Sequence, residues 1–213
     1  SWLEWLEARQ CTGAWLTWHA ENPEIASDRM LAGFVGGGGR WQILTPTDEG
    51  LLGWVAGWRI GNREAQNRRI WQVGYALAGV VPGDSLPSDD FPRARDALRR
   101  ALEEIHAFAA ARPYLDQFTE SFAMALSLVG GKTRPRGPNE LAPEGVFTDA
   151  EQGVLDACQA AWVFGGMGSW NDLGFDPEEQ PEYDRVSENL FQAINAAIPA
   201  VTTGPTLRRA RGS

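Results

Sequence analysis

The 213-residue chain reads as an α+β protein, with an antiparallel β-sheet of four or five strands in residues 1–83 followed by about four α-helices in 84–213. Three observations predict this. Two runs before residue 84 alternate bulky and light residues with period two; after it, apolar residues recur at three and four; and nowhere do the two patterns interleave as a parallel sheet requires.

The opening Trp2-Leu3-Glu4-Trp5-Leu6 is amphipathic and predicts a short helix on a sheet edge. Strands are expected at 14–20, 30–35 and 40–45, with Gly36-Gly37-Gly38-Gly39 as a turn or bulge between the last two. The clearest strand is 52–60. There Leu52, Trp54, Ala56, Trp58 and Ile60 form a bulky face, and Gly53, Val55, Gly57 and Arg59 a light one. After a polar turn at 61–68 the pattern returns, with Trp71, Val73, Tyr75 and Leu77 on one side and Gln72, Gly74, Ala76 and Ala78 on the other. Two such runs joined by a polar loop make a hairpin. Glycines on its light face (Gly53, Gly57, Gly74) would let a helix backbone approach closely, or would floor a groove.

From residue 84 the period changes. Phe91, Ala94, Leu98, Ala101, Leu102, Ile105 and Phe108 mark a first helix, which Pro113 breaks. Leu115, Phe118, Phe122, Ala125, Leu126 and Val129 mark a second, closed by Gly130-Gly131. A loop is expected over 132–146. Thr148 and Glu151 form a capping box for a third helix, with Val154, Leu155, Cys158, Ala161 and Trp162 on its apolar stripe. A glycine-rich loop spans 164–174. The last helix carries Tyr183, Val186, Leu190, Ile194, Ala197 and Ile198, and is expected to end at Pro199 or Gly204. The sheet half and the helical half are expected to share one core, because the hairpin's bulky face needs a cover.

Charge divides the same way. Residues 1–83 hold 8 acids and 7 bases, whereas 84–213 hold 20 acids and 12 bases, so nearly all of the net charge of −9 lies in the helical half. That field disfavours nucleic acid. The two basic groups (Arg59, Arg63, Arg68 and Arg69; Arg208, Arg209 and Arg211) lack interleaved aromatics to stack bases. No apolar run approaches the roughly 20 residues that span a bilayer, so no membrane role is expected. Cys11 and Cys158 do not make a disulfide framework, and there is no charged-then-apolar leader. A reduced, cytoplasmic setting is the expectation, and the preference for arginine over the single Lys132 suggests a GC-rich bacterial source.

Chemistry is sparse. Gly130-Gly131-Lys132-Thr133 resembles the tail of a phosphate-binding loop, but Leu126 stands where that loop needs glycine, a helix precedes it, and Pro135 and Pro138 follow. His19 and His106 belong to no ligand-spaced cluster. Asp172, Asp176, Glu178 and Glu179 supply oxygens for Mg²⁺, but from one stretch rather than from several elements. Cys158 lies on an apolar stripe, where a thiol behaves as a small hydrophobe. No catalytic, cofactor or metal set follows from these residues.

The most site-like stretch is Ser169-Trp170-Asn171-Asp172 with the acids after it. Trp170 either presents a binding surface beside Asn171 and Asp172, or plugs the core while one of them caps a turn. Asp172, Asp176, Glu178, Glu179, Glu182, Asp184 and Glu188 face only Arg185 as a local counter-charge, and such a field steers basic partners on encounter. Trp170, Asn171, Asp172, Asp176, Glu178, Glu179 and Glu182 are thus the candidate contacts of a binding protein. An immunity-type protein or an adaptor docking a basic protein partner fits this chemistry. The alternatives are a carboxylate-dependent hydrolase using Asp172, Asp176 or Glu179, and a homo-oligomerisation module sealed by the light glycine face or an exposed tryptophan.

Overall fold

A computed structural model describes residues 1–21, 27–65, 70–82, 86, 90–132 and 145–211. The chain divides into two compact units, Ser1–Ser88 with Arg208–Ser213, and Asp89–Leu207. Arg68 and Arg69, most of the loop expected at 132–146, and the side chains of Arg208, Arg209 and Arg211 lie outside the described residues.

The first unit is a four-stranded antiparallel sheet of β1 (Trp15–His19), β2 (Arg40–Thr47), β3 (Gly50–Ile60) and β4 (Trp71–Val80), with neighbours in chain order. Its core forms where three or four strands overlap. Trp15, Leu44, Leu52 and Trp54 are buried, and the Trp54 indole N–H donates to Thr45 Oγ1 at 2.8 Å. Helix α1 (Trp2–Glu7) is capped by the Ser1 hydroxyl. It lies over the inner strand β3 rather than on a sheet edge: Trp2 and Trp5 meet the Trp54 ring edge-on, at 5.5 and 5.4 Å between centroids. Arg9 then stacks 3.7 Å over Trp5 and reaches Glu49.

The strand expected at 30–35 is instead the end of a helical turn followed by an irregular turn. Residues Asp28–Leu31 form the single turn α2, with Ser27 Oγ accepting the Met30 N–H and Asp28 in the first turn. A continuous apolar run of six residues such as 30–35 cannot distinguish a strand from a helical turn, and here the Ser27 cap decides.

The second unit is helical: α3 (Phe91–Ala110), a 3-10 turn Pro113–Leu115, α4 (Asp116–Val129), α5 (Asp149–Ala160), a 3-10 turn Trp170–Asp172, and α6 (Gln180–Arg211). Most residues of the apolar stripes read from sequence face inward, but Trp162 lies past the end of α5 and is exposed. Leu98, Leu102, Ile105, Phe122, Val154, Leu190 and Ile194 are fully buried. The Thr148–Glu151 capping box is formed, with Glu151 Oε2 accepting the Thr148 N–H at 2.8 Å. Arg95 on α3 donates twice to the Val129 carbonyl, satisfying an end of α4 that has no helical partner.

Helix α6 does not stop at Pro199 or Gly204 but runs on to Arg211. Pro199 lacks the N–H that the Asn195 carbonyl would receive. Side chains brace this stretch instead: Asn195 Nδ2 donates to the Phe191 carbonyl at 2.8 Å, and the Thr202 and Thr203 hydroxyls both donate to the Pro199 carbonyl at 2.9 Å.

Two substitutions test this packing. A Cβ on Gly153 of α5 would stand 2.8 Å from the Leu128 carbonyl oxygen of α4. Gly153→Ala should therefore lower the urea midpoint although helix propensity alone favours alanine by about 1 kcal/mol. Ser187 on α6 accepts the Trp170 indole N–H at 2.7 Å and donates to the Tyr183 carbonyl at 2.5 Å. Ser187→Ala orphans that buried indole and should destabilise by about 1–3 kcal/mol in the same measurement.

Candidate functional site

Ser169 builds the turn that places Trp170. Its hydroxyl accepts the Asn171 N–H and donates to the Gly165 carbonyl, while the Asp172 carboxylate accepts the Gly168 N–H. This tight loop drives the Trp170 ring to the centre of the helical unit, where it is fully buried. Phe118 and Phe122 of α4 approach it edge-on at 5.1 and 5.3 Å, Phe108 of α3 at 6.3 Å, and Tyr183 of α6 lies tilted at 5.6 Å. The Tyr183 hydroxyl donates back to the Trp170 carbonyl. Trp170 and Asn171 are therefore interior residues, and neither presents the contact surface that the sequence left open for them.

The acids after Trp170 separate by role. Asp172 closes the turn. The Asp176 carbonyl receives the Glu179 and Gln180 N–H groups, both at 2.9 Å, and so starts α6. Glu179 is paired with Arg112 at 2.8 Å. That guanidinium lies 3.7 Å over Phe108, donates to its carbonyl, and sits 5.7 Å from the Phe175 ring. Asp176, Glu178 and Glu182 are exposed. The structure thus turns Asp172 and Glu179 into struts and leaves Asp176, Glu178 and Glu182 on the surface, in the first turn of α6 and the approach to it, where the helix dipole stabilises them.

Other chemistry-bearing groups are dispersed. Among the described residues no three or more His, Cys, Asp or Glu are placed to hold a metal ion, and no helix is long and apolar enough to cross a membrane. Both cysteines are free. The Cys158 thiol is pushed up to about 12 by burial, whereas Cys11 is half-buried and donates to the Gly13 carbonyl. A shallow groove of about 370 Å³ between α3 and α6 is floored by Ala97, Ala101, Ala193 and Ala196. Glu104 on its rim is held below the usual carboxylate range by its hydrogen bond from Arg185, with burial opposing and Asn189 assisting.

The feature that stands out lies in the first unit. β2 pairs with β3 only as far as Gln42↔Val55, whereas β3 and β4 stay paired to Ile60↔Trp71. Residues 56–60 are thus laddered on one side only, in a two-stranded extension. Directly opposed residues of an antiparallel pair share a face. The register Trp54↔Leu77, Ala56↔Tyr75, Trp58↔Val73 and Ile60↔Trp71 therefore gathers the bulky side chains of both strands on one face. A bulge between Gly53 and Trp54, with Gly79 at φ +124°, brings Val80 opposite Leu52 and onto that face too.

Trp58, Ile60, Trp71, Val73, Tyr75, Leu77 and Val80 are each between 39% and 62% exposed. The adjoining loop before β2 exposes Phe34 and Val35, and a Cβ on Gly36 would touch Trp58 at 3.6 Å. Arg59 is on the opposite face, hydrogen-bonded to Gln72 at 3.1 Å. Among the described residues, no helix packs into the glycines of the light face. At Gly53 the space is filled by the Gln42 and Val81 side chains, and nothing lies within 4 Å of a Cβ at Gly74. An open groove of about 690 Å³ crosses the hairpin, lined in part by Gly57, Trp58, Val73, Gly74 and Tyr75.

These hairpin residues were not among the sequence candidates. The signal was present in WQVGYALAGV, residues 71–80, a ten-residue strand with neither a charge nor a proline. Comparison of the chain with protein-family models, with curated proteins and with solved structures finds no match.

Proposed function

We propose that this chain is a protein-docking module that works through the bulky face of the β3–β4 hairpin. The observation that carries this reading is the run of seven half-exposed apolar side chains on one face of the β3–β4 hairpin, five of them (Trp58, Ile60, Trp71, Val73 and Tyr75) on its two-stranded extension. A two-stranded ribbon is marginal in water on its own, and contiguous apolar surface of this extent marks an interaction site. β4 is also an edge strand, yet carries none of the charges or prolines that keep edge strands from pairing. Trp71 and Tyr75 of β4, with Trp58 across from Val73, are of the residue types that dominate binding energy at interfaces.

A second reading rests on the exposed Asp176, Glu178 and Glu182. There the chain is an immunity-type or adaptor protein docking a basic partner through its acidic helical half, where 84–213 hold 20 acids against 12 bases. The first reading has the stronger support, because the dipole of α6 accounts for those acids and Glu179 is already engaged by Arg112.

Salt separates the two. Apolar docking persists or tightens in high salt, whereas docking on exposed acids weakens as ions screen them. The immobilised protein should retain its partner at high salt and lose it on Tyr75→Lys, while Glu178→Gln with Glu182→Gln changes little. Capture that disappears in salt and survives Tyr75→Lys would favour the acidic surface instead.

A further inference from the structure

Resting on the docking reading above, we infer that the partner is a second copy of this chain, the bulky faces of two β3–β4 hairpins packing on each other across a two-fold axis. Area supports it first. The seven side chains leave on the order of 700 Å² of accessible surface, against about 800 Å² per partner in a standard-size stable interface.

Charge supports it independently. None of these seven side chains carries a charge, and the hairpin's Arg59 is on the other face. A basic partner finds no acid here to attract it. A copy of the same chain, which carries −9 overall, meets no like charge at the seam.

Shape is the third support. In a two-fold interface the same patch faces itself, so it must hold both the protrusions and the recesses it needs. The hairpin has both: Trp58 sits opposite Val73, Ile60 opposite Trp71, and Ala56 opposite Tyr75, placing a large ring beside a smaller residue in each pair. Two such sheets stack about 10 Å apart with strands crossed by about 30°, and rings of one layer fill gaps of the other.

The test is the mass of the full chain by sedimentation across the micromolar range. The wild type should run at twice 23.4 kDa. Tyr75→Lys and, separately, Val73→Lys should weaken the dimer by roughly 30-fold or more, as interface hot spots do. Both positions are exposed, so circular dichroism and the urea midpoint measured on the monomer should match the wild type; Glu182→Gln should leave the dimer intact. A wild type that stays monomeric throughout the range overturns the inference. So does a dimer that survives both lysine variants. A monomer that still captures another protein, and loses it on Tyr75→Lys, sinks only the second-copy assignment and leaves the docking reading standing. Capture indifferent to Tyr75→Lys removes the docking reading as well.

Discussion

The pairing of β3 with β4 is the constraint on which the proposed docking surface depends. Side-chain direction in a strand has a period of two, so a slip of one residue would send Tyr75 and Leu77 to the face of Arg59 and leave Trp58 and Ile60 behind. The register instead aligns Trp54, Trp58 and Ile60 of β3 with Leu77, Val73 and Trp71 of β4, with Tyr75 among them, and the bulge beside Gly79 keeps Val80 on that face where simple alternation would turn it away. Trp54 lies on the same face but is covered by Trp2 and Trp5 of α1. The face is thus closed at one end by the chain's own aromatics and open along the extension, which leaves core-type residues half-exposed there.

The helical unit solves a different problem with similar residues. Trp170 brings a polar N–H into the interior, and Ser187 satisfies it while passing its own proton to the Tyr183 carbonyl. Four aromatic neighbours from α3, α4 and α6 fix the ring, so the glycine-rich loop around it is anchored at its centre. Arg112 extends that anchor outward, stacked on Phe108 and paired with Glu179. Acids that look like a binding patch in the sequence thereby divide into struts and surface.

Legibility followed the length of each pattern. Nine and eight residues of alternation identified β3 and β4, and three or more helical turns identified α3, α4 and α5, down to the Thr148–Glu151 cap. Four-residue α2 offered too few positions for a period to emerge. Helix α6 outran Pro199 because its bracing comes from the Asn195, Thr202 and Thr203 side chains, which a rule about proline alone does not weigh. Trp170 was ambiguous for a related reason: its neighbours come from three helices, and nothing local to residues 164–174 says that they converge. For the hairpin, sequence supplied the bulky face of each strand, but not the bulge in their pairing. It did not supply where β2 stops pairing, and that ending determines which of those residues are covered.

Charge distribution then bears on how such a face behaves. Apolar rings exposed on a molecule invite indiscriminate sticking unless long-range repulsion keeps copies apart in wrong orientations. Residues 84–213 provide 20 acids against 12 bases, whereas the segment bearing the hairpin holds 8 against 7. At physiological ionic strength the repulsion between exposed charges decays over about 8 Å. Contacts that bring acidic surfaces together are therefore opposed at short range, whereas the uncharged side chains of the hairpin face add no repulsion of their own to the proposed docking. Specificity of this kind needs no charge at the seam; it needs charge everywhere a wrong contact would form.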